Sequence, residues 1–172
     1  NSEATLGMTL ESLRSLGSAA QVVLVDSHST DRTLEIAEQF SLQVRTFPPG
    51  NLYGAVNLGL SDAQTEWLTY INSDDVIYAN TLVKRIKRLR SAPVDISYGS
   101  VDFVDSDGRF LRSWKPAMEK ALFPLYKAGY SALLQQGTLI RRELFESLGG
   151  FSTKYYYVAD ADFWFRALEA NA

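Results

Sequence analysis

Residues 21–47 read QVVLVDSHSTDRTLEIAEQFSLQVRTF, and this stretch decides the fold class. Gln21 to Val25 is an apolar run that ends on a carboxylate at Asp26. Thr30 to Phe40 repeats its apolar residues at helical spacing, and Leu42 to Phe47 returns to a strand pattern. Strand, helix and strand in close succession form the unit of a parallel sheet, because parallel neighbours need a crossover connection, usually a helix.

The rhythm extends in both directions. Upstream, Leu6, Leu10, Leu13 and Leu16 recur at helical spacing. Downstream, the pattern predicts a helix over Tyr53–Asp62, a strand over Glu66–Ile71, and a helix over Ala79–Arg90 in which Leu82, Val83, Ile86 and Leu89 share one face. After Pro93 the texture changes. Ile96–Val104, the turn Asp105-Ser106-Asp107-Gly108 and Arg109–Trp114 read as a hairpin, since Asp-Gly supplies the backbone angles of a tight turn. Helical patterns follow at Ala117–Lys127, Arg141–Leu148 and Asp160–Ala170, with Gly149-Gly150 as a stop. The expected architecture is α/β: a mostly parallel sheet flanked by helices, with a small antiparallel hairpin, in one domain over residues 1–172.

Composition narrows the chemistry. The chain has 172 residues, 46% hydrophobic, enough for one continuous core. It contains no cysteine and a single histidine, so any metal is held by oxygen or by His28. The formal charge of −3 argues against binding along a nucleic-acid backbone. No window approaches the roughly 20 apolar residues that span a bilayer, and no signal-peptide pattern opens the sequence. The expectation is a soluble, cytoplasmic protein, with peripheral association at the inner face of a membrane as an option.

Three acidic groups carry the chemistry. In WLTYINSDD, residues 67–75, a hydrophobic strand runs into Asp74 and Asp75, two adjacent carboxylates at a strand's carboxyl end, where open α/β sheets build ligand crevices. A hard divalent ion relieves their repulsion, with substrate phosphates completing its shell; the same residues also read as a solvated turn capping the next helix. Asp26 ends its strand in the same way and can accept hydrogen bonds from a base or ribose, although Ser29, Thr30 and Asp31 are also simple capping residues. In ADADFWFR, residues 159–166, Asp160 and Asp162 open an aromatic helix. A carboxylate lodged among Tyr157, Phe163 and Trp164 would be shifted toward a general base; as a cap it needs no such role.

Taken in order, VDSHSTDRT, YGAVNLGL, WLTYINSDD, QQGTLIRRELFESLGGF and ADADFWFRAL resemble, block by block and over nearly the whole chain, the family 2 glycosyltransferases of the GT-A fold. The resemblance implies a metal-dependent, inverting transferase. It implies that Asp75 ligates Mn²⁺ or Mg²⁺, that Asp74 contacts the ribose or assists the metal, and that Asp26 lines the nucleoside pocket. Asn57, Gln136, Gly137 and Arg166 match donor-side positions, and Asp160 matches the catalytic base. The implied partners are a nucleotide-sugar donor, a UDP-sugar, and a glycan or lipid-linked acceptor in surface polysaccharide synthesis.

The sequence departs from the family pattern at Ser27, Gly54, Gln135 and Ala159, where relatives often carry an aspartate or glycine, an acidic residue, a histidine and a glutamate. The family's first strand is expected just before Asn1, so the chain is expected to be incomplete at its N-terminus and possibly at its C-terminus. A sugar-phosphate nucleotidyltransferase and a non-catalytic nucleotide-sugar binding module are the alternative readings. Lys84, Arg85, Lys87, Arg88 and Arg90 read best as a solvated helix face, Tyr155–Tyr157 as either acceptor contacts or loop packing, His28 as an exposed turn residue, and Trp67 and Trp164 as core.

Overall fold

The computed structural model describes residues 1–170, which form two compact units that divide between Pro93 and Val94. The boundary falls where the sequence pattern switches.

In the first unit, α1 (Leu6–Arg14) precedes β1 (Val23–Asp26), α2 (Thr33–Glu38), β2 (Gln43–Thr46), α3 (Leu52–Ser61), β3 (Trp67–Leu68) and α4 (Ala79–Leu89). β1 and β2 pair in parallel with Val23 opposite Gln43 and Asp26 opposite Thr46, as the strand-helix-strand pattern requires. Leu6, Leu10 and Ala37 form a buried cluster against which Leu13, Leu24, Ile36 and Phe40 pack. The apolar stripes of α1 and α2 thus meet beside β1, and this burial fixes where the strand's carboxyl end emerges.

β3 is shorter than the expected strand over residues 66–71. Only Trp67 and Leu68 are strand, both buried, and the chain from Thr69 onward runs out toward the acidic turn without regular pairing. A strand pattern in sequence specifies an extended, half-buried segment; ladder length also needs a neighbour at each residue.

The second unit contains β4 (Ile96–Tyr98), β5 (Val101–Val104), β6 (Phe110–Trp114), α5 (Glu119–Lys127), β7 (Thr138–Arg141), α6 (Arg142–Ser147) and α7 (Ala159–Glu169). The expected hairpin is present as β5 and β6, antiparallel, with Val101 opposite Trp114 and an irregularity at Phe103/Val104. The Asp105 carboxylate accepts from the Asp107 and Arg109 amides at 2.9 Å each and closes the turn. Its first arm is shorter than expected. Ile96–Tyr98 pairs instead with β7, Ile96 opposite Ile140 and Tyr98 opposite Thr138.

The division comes at Gly99-Ser100, and a close backbone approach accompanies it. A Cβ on Gly137 would lie 2.6 Å from the Gly99 carbonyl oxygen, so the turn before β7 comes this near only because residue 137 is glycine.

α6 ends in a Schellman motif. The Gly149 amide donates to the Glu146 carbonyl at 3.0 Å and the Gly150 amide to the Phe145 carbonyl at 2.9 Å, both glycines at φ +73°. Phe151 then turns inward and is 1% exposed, packing on Phe145, Phe163 and Trp164 with ring centroids 5.5, 5.0 and 6.3 Å away. This cluster is the core of the second unit and sets the position of α7.

Candidate active site

The first unit carries acidic residues at the ends of two strands, β1 and β3. Asp26, 5% exposed, ends β1 and its Oδ2 accepts from the Ser29 amide at 3.0 Å. His28 takes a left-handed conformation, φ +59°, and is exposed, so the chain turns sharply behind the carboxylate. Asp31 does cap α2: its Oδ1 accepts from the Thr33 amide at 3.1 Å and from Thr33 Oγ1 at 2.5 Å, and its Oδ2 accepts from the Glu3 amide at 3.0 Å.

Asp74 is exposed and Asp75 half-buried in the turn that follows β3. Asp75 Oδ2 accepts from both the amide and the side-chain nitrogen of Asn72 at 3.2 Å, and the Asp75 amide donates to the Asn72 carbonyl at 3.2 Å. The turn is therefore folded on its second carboxylate while the first faces water.

The two strand-end loops are tied together through Ser2, a link that the sequence pattern did not disclose. The Ser2 amide donates to Thr33 Oγ1 at 2.7 Å, and Ser2 Oγ shares a hydrogen bond with Ser73 Oγ at 2.7 Å. Asp31, Thr33, Ser2 and Ser73 thus form a polar chain from the α2 cap to the acidic turn. Asn1 and Glu3 add to it: Asn1 Oδ1 accepts from the Thr30 amide at 2.7 Å, and a Glu3 carboxylate oxygen accepts from the Arg32 amide at 3.1 Å. The sequence signal was present in part, since Asn1 and Ser2 read as cap residues, but they serve a loop nearly 30 residues away as well as the start of α1.

These bonds hold the Asp31 carboxyl down at about 2 from its ordinary 3.8; the Thr33 hydroxyl contributes most, followed by the Glu3 and Thr33 amides. A lowered folded-state pKa gives stability that is present above the unfolded value and lost as pH falls through the folded one. The wild-type melting temperature should exceed that of Asp31→Asn at pH 7, with the difference closing as pH drops from about 4 toward about 2. Parallel thermal melts check this.

Asn57 lies half-buried on α3, one turn after Gly54. The departure at Gly54 has a steric basis: a Cβ there would lie 2.5 and 2.8 Å from Phe47 ring carbons and 3.1 Å from Asn51 Cγ. The Phe47 ring covers the place that a side chain would take, and Asn51 caps α3 by accepting from the Gly54 amide at 2.8 Å. Gly54→Ala should therefore destabilise the fold by about 1–3 kcal/mol, the usual range for overpacking, measurable by denaturant unfolding.

The second unit carries the other acidic group. Asp160 sits half-buried in the first turn of α7 and its Oδ1 accepts from the Ala161 amide at 2.9 Å. Its charge reaches the Tyr126 hydroxyl on α5, whose pKa is raised first by burial and also by Asp160; the same hydroxyl accepts from the Leu133 amide at 3.3 Å. The expected aromatic enclosure forms differently. Phe163 and Trp164 are fully buried in the core, but Tyr157 is 80% exposed, because successive residues at the helix entry point in different directions.

The second acid of the pair has a different task. Asp162 Oδ2 accepts from Arg166 Nε at 2.8 Å, and the same guanidinium donates to the Leu148 carbonyl at 2.7 Å and the Gly150 carbonyl at 2.9 Å. Arg166 is thereby engaged in closing the C-terminal end of α6 onto α7, with its guanidinium 5.3 Å from the Phe163 ring centre. Arg166→Met should cost about 2–3 kcal/mol through the orphaned carbonyls and the Asp162 charge, read by denaturant unfolding. Gln136 is exposed, Gly137 half-buried and Gln135 6% exposed in the short 3₁₀ turn before β7.

Among the described residues no three His, Cys, Asp or Glu side chains cluster as a complete metal cage. The donor set at Asp74 and Asp75 nevertheless fits a Mg²⁺- or Mn²⁺-type ion, which typically takes one or two carboxylates and fills its shell with water and phosphate. Among the described residues no helix is long and apolar enough to cross a membrane.

Comparison with known proteins bears on the fold and the family. The PGL/p-HBAD biosynthesis glycosyltransferase of Mycobacterium bovis is 30% identical over 160 residues, covering 88% of this chain and 59% of that protein. S. aureus TarS 1-349 in complex with UDP superimposes with a TM-score of 0.72 at 22% identity, covering 95% of this chain and 51% of that one. The mannosyltransferase PcManGT from Pyrobaculum calidifontis, in complex with GDP-Man and Mn²⁺, gives a TM-score of 0.59 at 19% identity, covering 94% and 47%. The chain spans little more than half the length of such relatives. Its fold is the α/β arrangement of GT-A glycosyltransferases, with parallel and antiparallel strands. The family model for glycosyl transferase family 2 matches residues 1–149, and the chain belongs to that family.

Proposed function

We propose that the protein transfers a sugar from a nucleotide-sugar donor to an acceptor hydroxyl with inversion of configuration, and that UDP is the nucleotide. The observation that carries this reading is the pair of acidic strand ends in the first unit, Asp26 at the end of β1 and Asp74-Asp75 after β3, in loops that Ser2 ties together through Thr33 and Ser73. UDP in TarS and GDP-Man with Mn²⁺ in PcManGT, both of similar fold, support a nucleotide-sugar donor and a divalent ion.

Asp26 accepts hydrogen bonds from the nucleoside, with Asn57 on the same side of the chemistry. Asp75 is the metal ligand and Asp74 its neighbour toward ribose or metal. When bound, Mn²⁺ or Mg²⁺ supplies positive charge for the departing diphosphate. Gln136 and Gly137 serve the sugar-diphosphate portion. Asp160 takes the proton from the acceptor hydroxyl as its oxygen attacks the anomeric carbon opposite the leaving group; the carbon–oxygen bond to the diphosphate breaks and its electrons leave with it. Arg166 acts by holding Asp162 and the end of α6, which fixes the helix that bears Asp160. The acceptor is a glycan or lipid-linked glycan of surface polysaccharide synthesis, and residues 1–172 act as one catalytic domain in the cytoplasm.

The test is product analysis. Incubation with Mn²⁺ and UDP-glucose, UDP-GlcNAc or GDP-mannose should release nucleoside diphosphate from a UDP-sugar above the GDP-sugar, with NMR showing the inverted anomer. Retention of configuration, or no release from any donor, contradicts the proposal.

A further inference from the structure

The loop between α6 and α7 displays aromatic surface that the core does not use. Tyr155, Tyr156, Tyr157 and Val158 are consecutive and 45, 62, 80 and 54% exposed. The rings of Tyr156 and Tyr157 meet edge-on with centroids 4.5 Å apart. The loop does not hang free: it starts at Phe151, 1% exposed, and ends at Ala159, 0% exposed. Both anchors lie in or beside the aromatic cluster that fixes α7. Three tyrosines held out on a seven-residue span between two buried anchors form a presented aromatic surface.

Position and chemistry say what that surface fits. Asp160 follows Tyr157 by three residues, and an acceptor hydroxyl has to come within about 3 Å of a general base, so the body of the acceptor lies over the start of α7. Tyrosine offers a rigid π-face with a hydroxyl at its rim at low conformational cost. The C–H face and hydroxyls of a pyranose ring match that combination, whereas an acyl chain has no use for the hydroxyls. The loop carries one charge, Lys154, so it is not built for a polyanion.

We infer that Tyr157, supported edge-on by Tyr156 and with Tyr155 beside it, presents a stacking platform for a pyranose ring of the acceptor, making the acceptor a carbohydrate rather than a bare lipid or aromatic alcohol; this rests on the transferase reading above. The platform selects acceptors by ring stacking, apart from the donor-side carboxylates.

A glycan array probed with labelled wild-type protein, the double variant Tyr156→Ala/Tyr157→Ala and the double variant Tyr156→Phe/Tyr157→Phe tests it. Both sites are exposed, so folding, checked by thermal melts, should be retained. The expected result is binding of hexose-terminated glycans by wild type, a loss of about ten-fold or more with alanine, which corresponds to about 1.4 kcal/mol or more, and a smaller loss with phenylalanine. A parallel titration of UDP with Mn²⁺ should give the same affinity in all three proteins. Equal glycan binding by wild type and the alanine variant, or none by wild type while UDP binding is intact, overturns the platform and leaves the transferase reading standing. Absence of UDP binding in wild type overturns the transferase reading, and the acceptor assignment with it.

Discussion

Asp160→Asn should lower sugar transfer by about 10²- to 10⁴-fold, the range that a positioned general base contributes, with nucleotide binding unchanged. Asparagine keeps the size of the side chain and an oxygen that can still accept the Ala161 amide, so α7 keeps its start. What it loses is the second basic oxygen and the charge, and with them the ability to take the acceptor proton. The neighbouring pair provides the control. Asp162→Asn weakens the link to Arg166, which also holds the Leu148 and Gly150 carbonyls, so its effect should appear as lower stability with residual turnover. Initial-rate assays beside thermal melts separate the two. A turnover in Asp160→Asn equal to wild type would mean that the chain's base lies elsewhere, and no turnover in either protein would point to a binding module.

The second large effect is expected at Asp75. Asp75→Ala removes a carboxylate from the acidic turn and also the acceptor that holds the Asn72 amide and side chain. Asp75→Asn retains an oxygen for those two bonds and removes the charge and the second carboxylate oxygen. Both variants should weaken Mn²⁺-dependent nucleotide binding by more than about 100-fold, since even groups one layer behind a metal ligand are worth about 10–100-fold. Asp74→Asn, in the exposed neighbour, should have the smaller effect if it assists rather than ligates. Comparing Asp75→Asn with Asp75→Ala in calorimetry distinguishes loss of a ligand from collapse of the turn.

The fold was legible where local pattern and tertiary demand coincide. The apolar run into Asp26, the parallel partner at Gln43–Thr46, the Asp-Gly hairpin and the Gly149-Gly150 stop all appear within a few residues of where sequence puts them. Each rests on periodicity or on backbone angles that few residues tolerate. Less legible were features set by distant neighbours. Nothing local separates Ile96–Tyr98 from Val101–Val104; they take different partners, and the approach of Gly137 to Gly99 accompanies the division. Likewise the length of β3 depends on pairing rather than on its own hydrophobicity.

The candidate site divides in the same way. The acidic residues stood out because carboxylates at strand ends are costly and therefore informative. Their supports did not: Ser2, Thr33 and Ser73 are ordinary polar residues until the chain brings residue 2 against residues 33 and 73. Arg166 shows the reverse case. A cation on the helix after an acidic motif reads as an anion contact, yet its three nitrogens meet Asp162 and two backbone carbonyls, a task visible only once α6 and α7 lie side by side.

The most direct test of the central claim is calorimetric titration of UDP into the wild-type protein with Mn²⁺ and again in excess chelator, with GDP, dTDP and CDP as comparisons. Saturable binding of UDP in Mn²⁺, lost in chelator and weaker for the other diphosphates, is the predicted result. Binding of no nucleotide, or UDP binding of equal strength with and without the metal, would contradict the account.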